Sequence, residues 1–151
     1  MKKIFIIIAL ILLIIISICI AEISINNKKI LVQKQQNKEY EQYMNKDIYG
    51  TDVITLINKA IDNNKKNNIH QDEKGYFIEN EDDSLIIELV MITNEEKEKT
   101  KTYKMETISK AGVEAFISNF NTAKFKITEI KYHKKTNKLK YIQISQLNEL
   151  N

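Results

Sequence analysis

Residues 4–21 form an unbroken apolar run in which Ser17 is the only polar side chain. As an α-helix, that run would extend roughly 27 Å, against a bilayer hydrocarbon core of about 30 Å. It is therefore short for a transmembrane span and long for the apolar region of a secretory signal. The run is dense in Ile and Leu throughout, and no small-x-small cleavage site closes it. The nearest approximation is Cys19-Ile20-Ala21, flanked by bulky residues. The expectation is a retained membrane anchor over residues 4–21, preceded by a basic flank at residues 1–3. The alternative is cleavage near Ala21 and secretion. Cys19 invites a lipid-modified reading, but the residue before an acylated cysteine must be small, and here it is Ile18. With a single cysteine in the chain, neither an intramolecular disulfide nor a multi-thiolate metal site can form.

Lys2 and Lys3 precede the run and Glu22 follows it, which predicts a cytoplasmic N-terminus with the remainder outside. Lys28, Lys29, Lys34 and Lys38 weigh the other way, and the very short N-terminal tail tips the expectation back to the outside. Every basic residue is lysine. Without the guanidinium fork, bidentate reading of phosphates and guanine edges is lost. The 23 lysines face 20 carboxylates, so the chain lacks the strong positive excess of a nucleic-acid binder, and none is expected as a partner.

Residues 1–49 contain neither Gly nor Pro, so nothing compels a helix to stop at the membrane surface. Asn26-Asn27 is the one plausible break. Tyr40, Tyr43, Met44 and Ile48 recur at helical spacing, which predicts a helical stalk across residues 22–49 whose last turns dock on the domain. Gly50 is expected to end that helix, and Thr51 to cap a second one. There Val53, Ile54, Ile57, Ala60 and Ile61 share a face, with Leu56 at its edge, and the polar cluster at residues 63–68 stops it. From Gly75 the period shortens. Strands are expected at residues 76–78 and 85–92, separated by a polar turn at 80–84. A charged loop over 94–101 leads to a third strand containing Tyr103 and Met105. Ser109 is then read as the cap of a helix with Val113, Phe116, Ile117 and Phe120 on one face. Strands at 125–132 and 139–144, joined by the turn 133–138, complete the chain. Two amphipathic helices require a sheet to cover them. The predicted fold of residues 50–151 is thus α+β, with helices on one face of an antiparallel sheet.

Chemical constellations are sparse. His70 and His133 lie outside any spaced ligand motif, one in a polar loop and one at a turn, where exposed side chains are expected. The acidic stretch at 79–84 lacks the glycine and distal carboxylate of a calcium loop and reads as a solvated turn. There is no nucleophile elbow and no phosphate-cradling glycine loop. The C-terminal hairpin is the one concentrated feature. Lys124, Lys126, Lys131, Lys134, Lys135, Lys138 and Lys140, with Tyr132 and Tyr141, face the single acid Glu129. Of these, Lys131, Lys134, Lys135, Lys138 and Lys140 are the candidate contacts for an anionic wall polymer or lipid headgroups. The blander reading is an edge hairpin guarded by lysines.

Residues 49–64 (YGTDVITLINKAIDNN) and 125–136 (FKITEIKYHKKT) resemble segments of small single-pass membrane proteins from AT-rich Firmicutes, a family with no assigned function. The similarity extends from about Tyr40 to the C-terminal strand. A long N-terminal helix, half in the membrane and half on a sheet, also resembles type IV pilins and pseudopilins in architecture. The processing motif of that group is missing here, with no Gly before Gly50 and no Glu before Glu22. The functional expectation is a non-enzymatic, membrane-anchored protein facing outward and working through protein contacts, in a pilin-like surface or secretion assembly. The alternative is a secreted or surface module that binds anionic polymer or lipid through the basic hairpin. No cofactor is expected.

Overall fold

The computed structural model describes residues 2–93 and 99–148. Its elements are α1 (Lys2–Glu41), β1 (Ile48–Tyr49), α2 (Gly50–Lys66), β2 (Ile86–Ile92), β3 (Thr100–Lys104), α3 (Met105–Ala111), α4 (Val113–Phe120), β4 (Lys124–Tyr132) and β5 (Leu139–Gln146). The fold is α+β, and the chain divides into two compact units, Met1–Gln36 and Asn37–Asn151.

The first unit is a single stretch of α1. It passes through Asn26-Asn27 without a break, since two asparagines cost only a few tenths of a kcal/mol each in a helix already propagating. The large apolar side chains from Ile4 to Val32 are between 48 and 70% exposed among the described residues. Among the described residues, this is the one helix long and apolar enough to cross a membrane.

The second unit takes in the last turn of α1. Tyr40 is buried, and Tyr43 and Met44 pack half-buried against the core, which is the docking expected of that apolar stripe. The helix stops at Glu41, however, and residues 42–46 form turns in which Asn45 takes a left-handed conformation (φ 60°). Ile48 is buried as part of a two-residue strand instead of a helical turn. Gly50 opens α2 rather than closing the helix before it. Thr51 does not cap α2, whose first turn is secured when the Tyr49 N–H donates to the Asp52 carboxylate at 3.0 Å. Glycine is required at position 50 for space, because a Cβ there would lie 2.1 Å from the Phe120 carbonyl oxygen. Along α2, Val53, Leu56, Ile57 and Ala60 are fully buried, which moves Leu56 from the edge of the apolar face to its centre.

The sheet has five strands in the order β1-β4-β5-β2-β3. It is mixed rather than antiparallel, because β2 and β5 run parallel, with Ile87 opposite Ile142 and Leu89 opposite Ile144. The remaining pairings are antiparallel. Composition explains the order. The two strands richest in aliphatic residues occupy the interior, where both backbone edges are paired, and the polar TKTYK segment of β3 lies at one edge. Ile87, Leu89, Ile142, Ile144 and Phe125 belong to the same buried cluster as the apolar face of α2. Burying each such aliphatic side chain contributes about 1.5–3 kcal/mol, so this shared cluster outweighs any local propensity in setting the fold.

Other expectations are corrected by the chain path. Residues 76–78 are not a strand: Phe77 makes one isolated bridge to Gln71 and gives its N–H to the buried Glu106 carboxylate at 2.9 Å. Met105 begins α3 instead of ending a strand, and Ser109 lies inside that helix instead of capping the next. The two helices are separated at Gly112, whose φ of 97° is a conformation that side-chain-bearing residues rarely adopt. The expected loop over 94–101 falls partly outside the described residues at 94–98, and Thr100 and Lys101 belong to β3.

Candidate functional site

The β4–β5 hairpin carries the candidate lysines, and two neighbouring segments hold it in place. At its base, His133 donates its N–H to the Lys138 carbonyl and accepts from the Asn137 N–H, both at 2.8 Å, while Asn137 adopts a left-handed conformation (φ 53°). The His133 ring is 2% exposed, contrary to the solvent exposure expected of a turn residue. Its Nε2 is 2.7 Å from the Ser84 carbonyl oxygen, and because a carbonyl can only accept, Nε2 carries the proton. Thr136 donates its hydroxyl to the Asp82 carbonyl at 2.7 Å. On another side, the Asn37 amide bonds twice to the hairpin. Its Nδ2 donates to the Asn137 carbonyl at 2.8 Å, and its Oδ1 accepts from the Leu139 N–H at 3.0 Å. The Tyr132 hydroxyl donates to Glu41 at 2.7 Å.

The chain turns at 80–84 as expected, but no strand precedes the turn and Ser84 is wholly buried. Asn80 Oδ1 accepts from the backbone N–H groups of Asp82, Asp83 and Ser84 at 2.8–3.1 Å, a geometry that asparagine favours in turns. The acidic stretch and the basic hairpin, separate in the sequence, lie side by side. Lys135 pairs with Asp82 at 3.3 Å, Lys140 with Glu79 at 2.8 Å, and Lys138 with Asp83. Lys131 pairs with Glu129 at 2.9 Å and sits 4.8 Å over the Tyr141 ring. Lys134 is exposed and makes no ion pair among the described residues.

Between these groups runs a cleft of about 640 Å³ lined by Ile130, Tyr132 and His133, by Lys131, Lys134, Lys135 and Lys140, and by one acid, Glu81. Four of the five candidate lysines therefore meet around one concavity. Lys138 does not line it. His70 is exposed in its loop, as expected, and lies outside the cleft. No family model, curated protein or solved structure matches the chain. The arrangement has to be read from its own chemistry.

Glu81 was read only as part of the acidic 79–84 turn. Asn37 and Glu41, which hold the hairpin, carried no periodic or motif signal in the sequence. Asn64 did carry one. It falls on the apolar stripe of α2, seven residues after Ile57, and it is wholly buried.

The phenols around the hairpin are held protonated. The Tyr132 hydroxyl is pushed up to about 12 by desolvation, then by its hydrogen bond to Glu41 and that carboxylate's charge. Tyr141 is pushed up to about 12 by desolvation, then by its hydrogen bond to Glu88. Burial raises Tyr40 further still, aided by the charges of Glu39 and Asp62. Above the ordinary tyrosine value of 10.0 the unfolded chain loses these protons while the folded chain keeps them. Their contribution is therefore complete below pH 10 and disappears as pH rises through about 12. The midpoint of thermal unfolding of the full chain in neutral detergent should fall steadily across that window. It should fall less steeply in a Tyr132→Phe, Tyr141→Phe double variant. An equal fall in both proteins would show that these hydroxyls do not contribute.

Proposed function

We propose that this is a non-enzymatic, single-pass membrane-anchored protein with its N-terminus in the cytoplasm and its α+β domain outside. In this reading it acts through protein contacts of that domain, in a pilin-like surface or secretion assembly. The observation that carries it is the bare apolar helix. The large apolar side chains of this run stay half exposed among the described residues, and a bilayer would cover them. Ser17 is compatible with lipid, since its hydroxyl bonds to the Leu13 carbonyl at 2.8 Å within the same helix. Two uses of the histidines support a role without catalysis. His70 sits in a polar loop, and the Nε2 proton of His133 is committed to a backbone carbonyl. The outward orientation rests on Lys2 and Lys3 before the run and Glu22 after it.

Protease treatment of intact cells carrying a C-terminally tagged copy tests the arrangement. The expected result is full-size, cell-bound protein whose tag is removed by external protease. A tag that is protected until the cells are lysed would place the domain in the cytoplasm and overturn the outward reading. Tagged protein found in the medium and shortened at its N-terminus would instead indicate cleavage near Ala21.

A second reading is favoured by the lysine-rimmed cleft: a surface module that binds an anionic polymer or lipid through Lys131, Lys134, Lys135, Lys138 and Lys140.

A further inference from the structure

The geometry points to the cleft between the β4–β5 hairpin and the 79–84 turn as a binding site for a water-soluble, phosphate-bearing linear polyanion. This rests on the second reading above and narrows it to a place and a ligand class. The volume of about 640 Å³ lies within the range of about 300–1,000 Å³ typical of ligand clefts. Lys131 comes from β4, Lys134 and Lys135 from the turn, and Lys140 from β5. The lysines are thus contributed by both strands and the turn of the hairpin instead of by one segment. Distributed positive charge suits a chain with repeated anions better than a single small ion.

The ion pairs already present do not close the site. Lys131, Lys135 and Lys140 are each held by one carboxylate, at 2.8–3.3 Å, with side chains 31–75% exposed. Such surface pairs contribute at most about 1 kcal/mol each, so an incoming anion can exchange with them. Lys134 has no such competitor among the described residues, and it is the first contact a ligand would make. Ile130 and Tyr132 add carbon surface along the wall for the uncharged linkers of the chain.

Concavity sets the source. A bilayer surface is flat, and a domain that docks on it does so through projecting apolar tips and convex basic faces. A soluble chain can enter a cleft. Lysine ammonium groups hold phosphate as compact point charges, without the bidentate fork of a guanidinium.

The test uses the full chain in neutral detergent micelles and inorganic polyphosphate as the probe, with binding followed by titration calorimetry. Binding should occur and weaken with added salt. Lys134→Glu should weaken it about tenfold, the loss expected for one charge-assisted contact. Lys66→Glu, an exposed reversal on α2 away from the cleft, should leave it unchanged. Lys134 makes no ion pair among the described residues, and unchanged thermal melting of Lys134→Glu would confirm that the fold is intact. Equal binding of polyglutamate would overturn the phosphate assignment while leaving the second reading in place. Displacement of polyphosphate by phosphatidylglycerol doped into the micelles, at matched phosphate concentration, would transfer the site to lipid headgroups and overturn the soluble chain. Equal weakening by both lysine variants would overturn the cleft. If no anion binds, the inference and the second reading fall together.

Discussion

Aspartate at both Ile11 and Ile14 should move this protein out of the membrane fraction. The two positions lie near the middle of the apolar run, where an aspartate costs about 2.5–3.5 kcal/mol on insertion and an isoleucine contributes about 0.3–0.6. Each substitution therefore shifts the balance by roughly 3–4 kcal/mol, and the pair by roughly 6–8. The whole run gains only about that much from its Ile and Leu residues, so two acids cancel it. Both side chains are largely exposed among the described residues, Ile11 at 52% and Ile14 at 60%. The folded unit should survive the change. Flotation of a cell lysate through a density gradient separates true membrane association from aggregation, because aggregates stay at the bottom. Wild-type protein and a Ser17→Ala variant should float, and the doubly substituted protein should not. If the double variant floats as well as wild type, residues 4–21 are not what holds the protein to the membrane.

Asn64→Ala should be the most damaging single substitution among the polar residues of the folded unit. The Asn64 side chain joins the end of α2 to the residue before β2: Nδ2 donates to the Leu85 carbonyl at 2.8 Å, and Oδ1 accepts from the Leu85 N–H at 2.8 Å. Both partners are buried backbone groups that no water reaches. Truncation leaves one donor and one acceptor unpaired, at about 1–3 kcal/mol each, for a total of about 2–6 kcal/mol. Against a total stability of about 5–15 kcal/mol for a domain, that is a large fraction. The thermal midpoint of the full chain in detergent should fall by on the order of 10 °C. Asn64→Asp separates hydrogen bonding from packing. At neutral pH it keeps the acceptor for the Leu85 N–H but sets a second carboxylate oxygen against the Leu85 carbonyl. It should be no more stable than Asn64→Ala at pH 7 and should recover at acid pH, where a protonated carboxyl can donate. An Asn64→Ala midpoint within a degree or two of wild type would show that the two backbone groups find other partners.

Asn64 also illustrates how far the sequence can be read. Its position on the stripe of Val53, Ile57, Ala60 and Ile61 was visible, but its membership of an asparagine-rich cluster made it look like a helix terminator. Both descriptions hold, because the helix ends two residues later, and only the approach of Leu85 makes the side chain structural. His133 is a second case. A histidine beside three polar residues has every local mark of exposure, and the Ser84 carbonyl that buries it lies 49 residues away. The acidic 79–84 turn and the lysine turn were each read as solvated. Neither could reveal that it faces the other, since charge complementarity between distant segments leaves no local pattern.

The sequence alone determined the features that depend on neighbours a few residues apart. These are the long apolar helix, from an unbroken apolar run; α2, from its 3.6-residue period; the docking of Tyr40 at the end of α1; and the strands of the C-terminal hairpin. Tertiary structure decided the rest. It set the parallel pairing of β2 with β5, the two-residue β1, the division of a helix at Gly112, and the gathering of Lys131, Lys134, Lys135 and Lys140 around one cleft. The physical reason is the same in each case. Periodicity records which face of a segment avoids water, while the segment that covers that face, and its direction, are chosen by burial summed over the whole core.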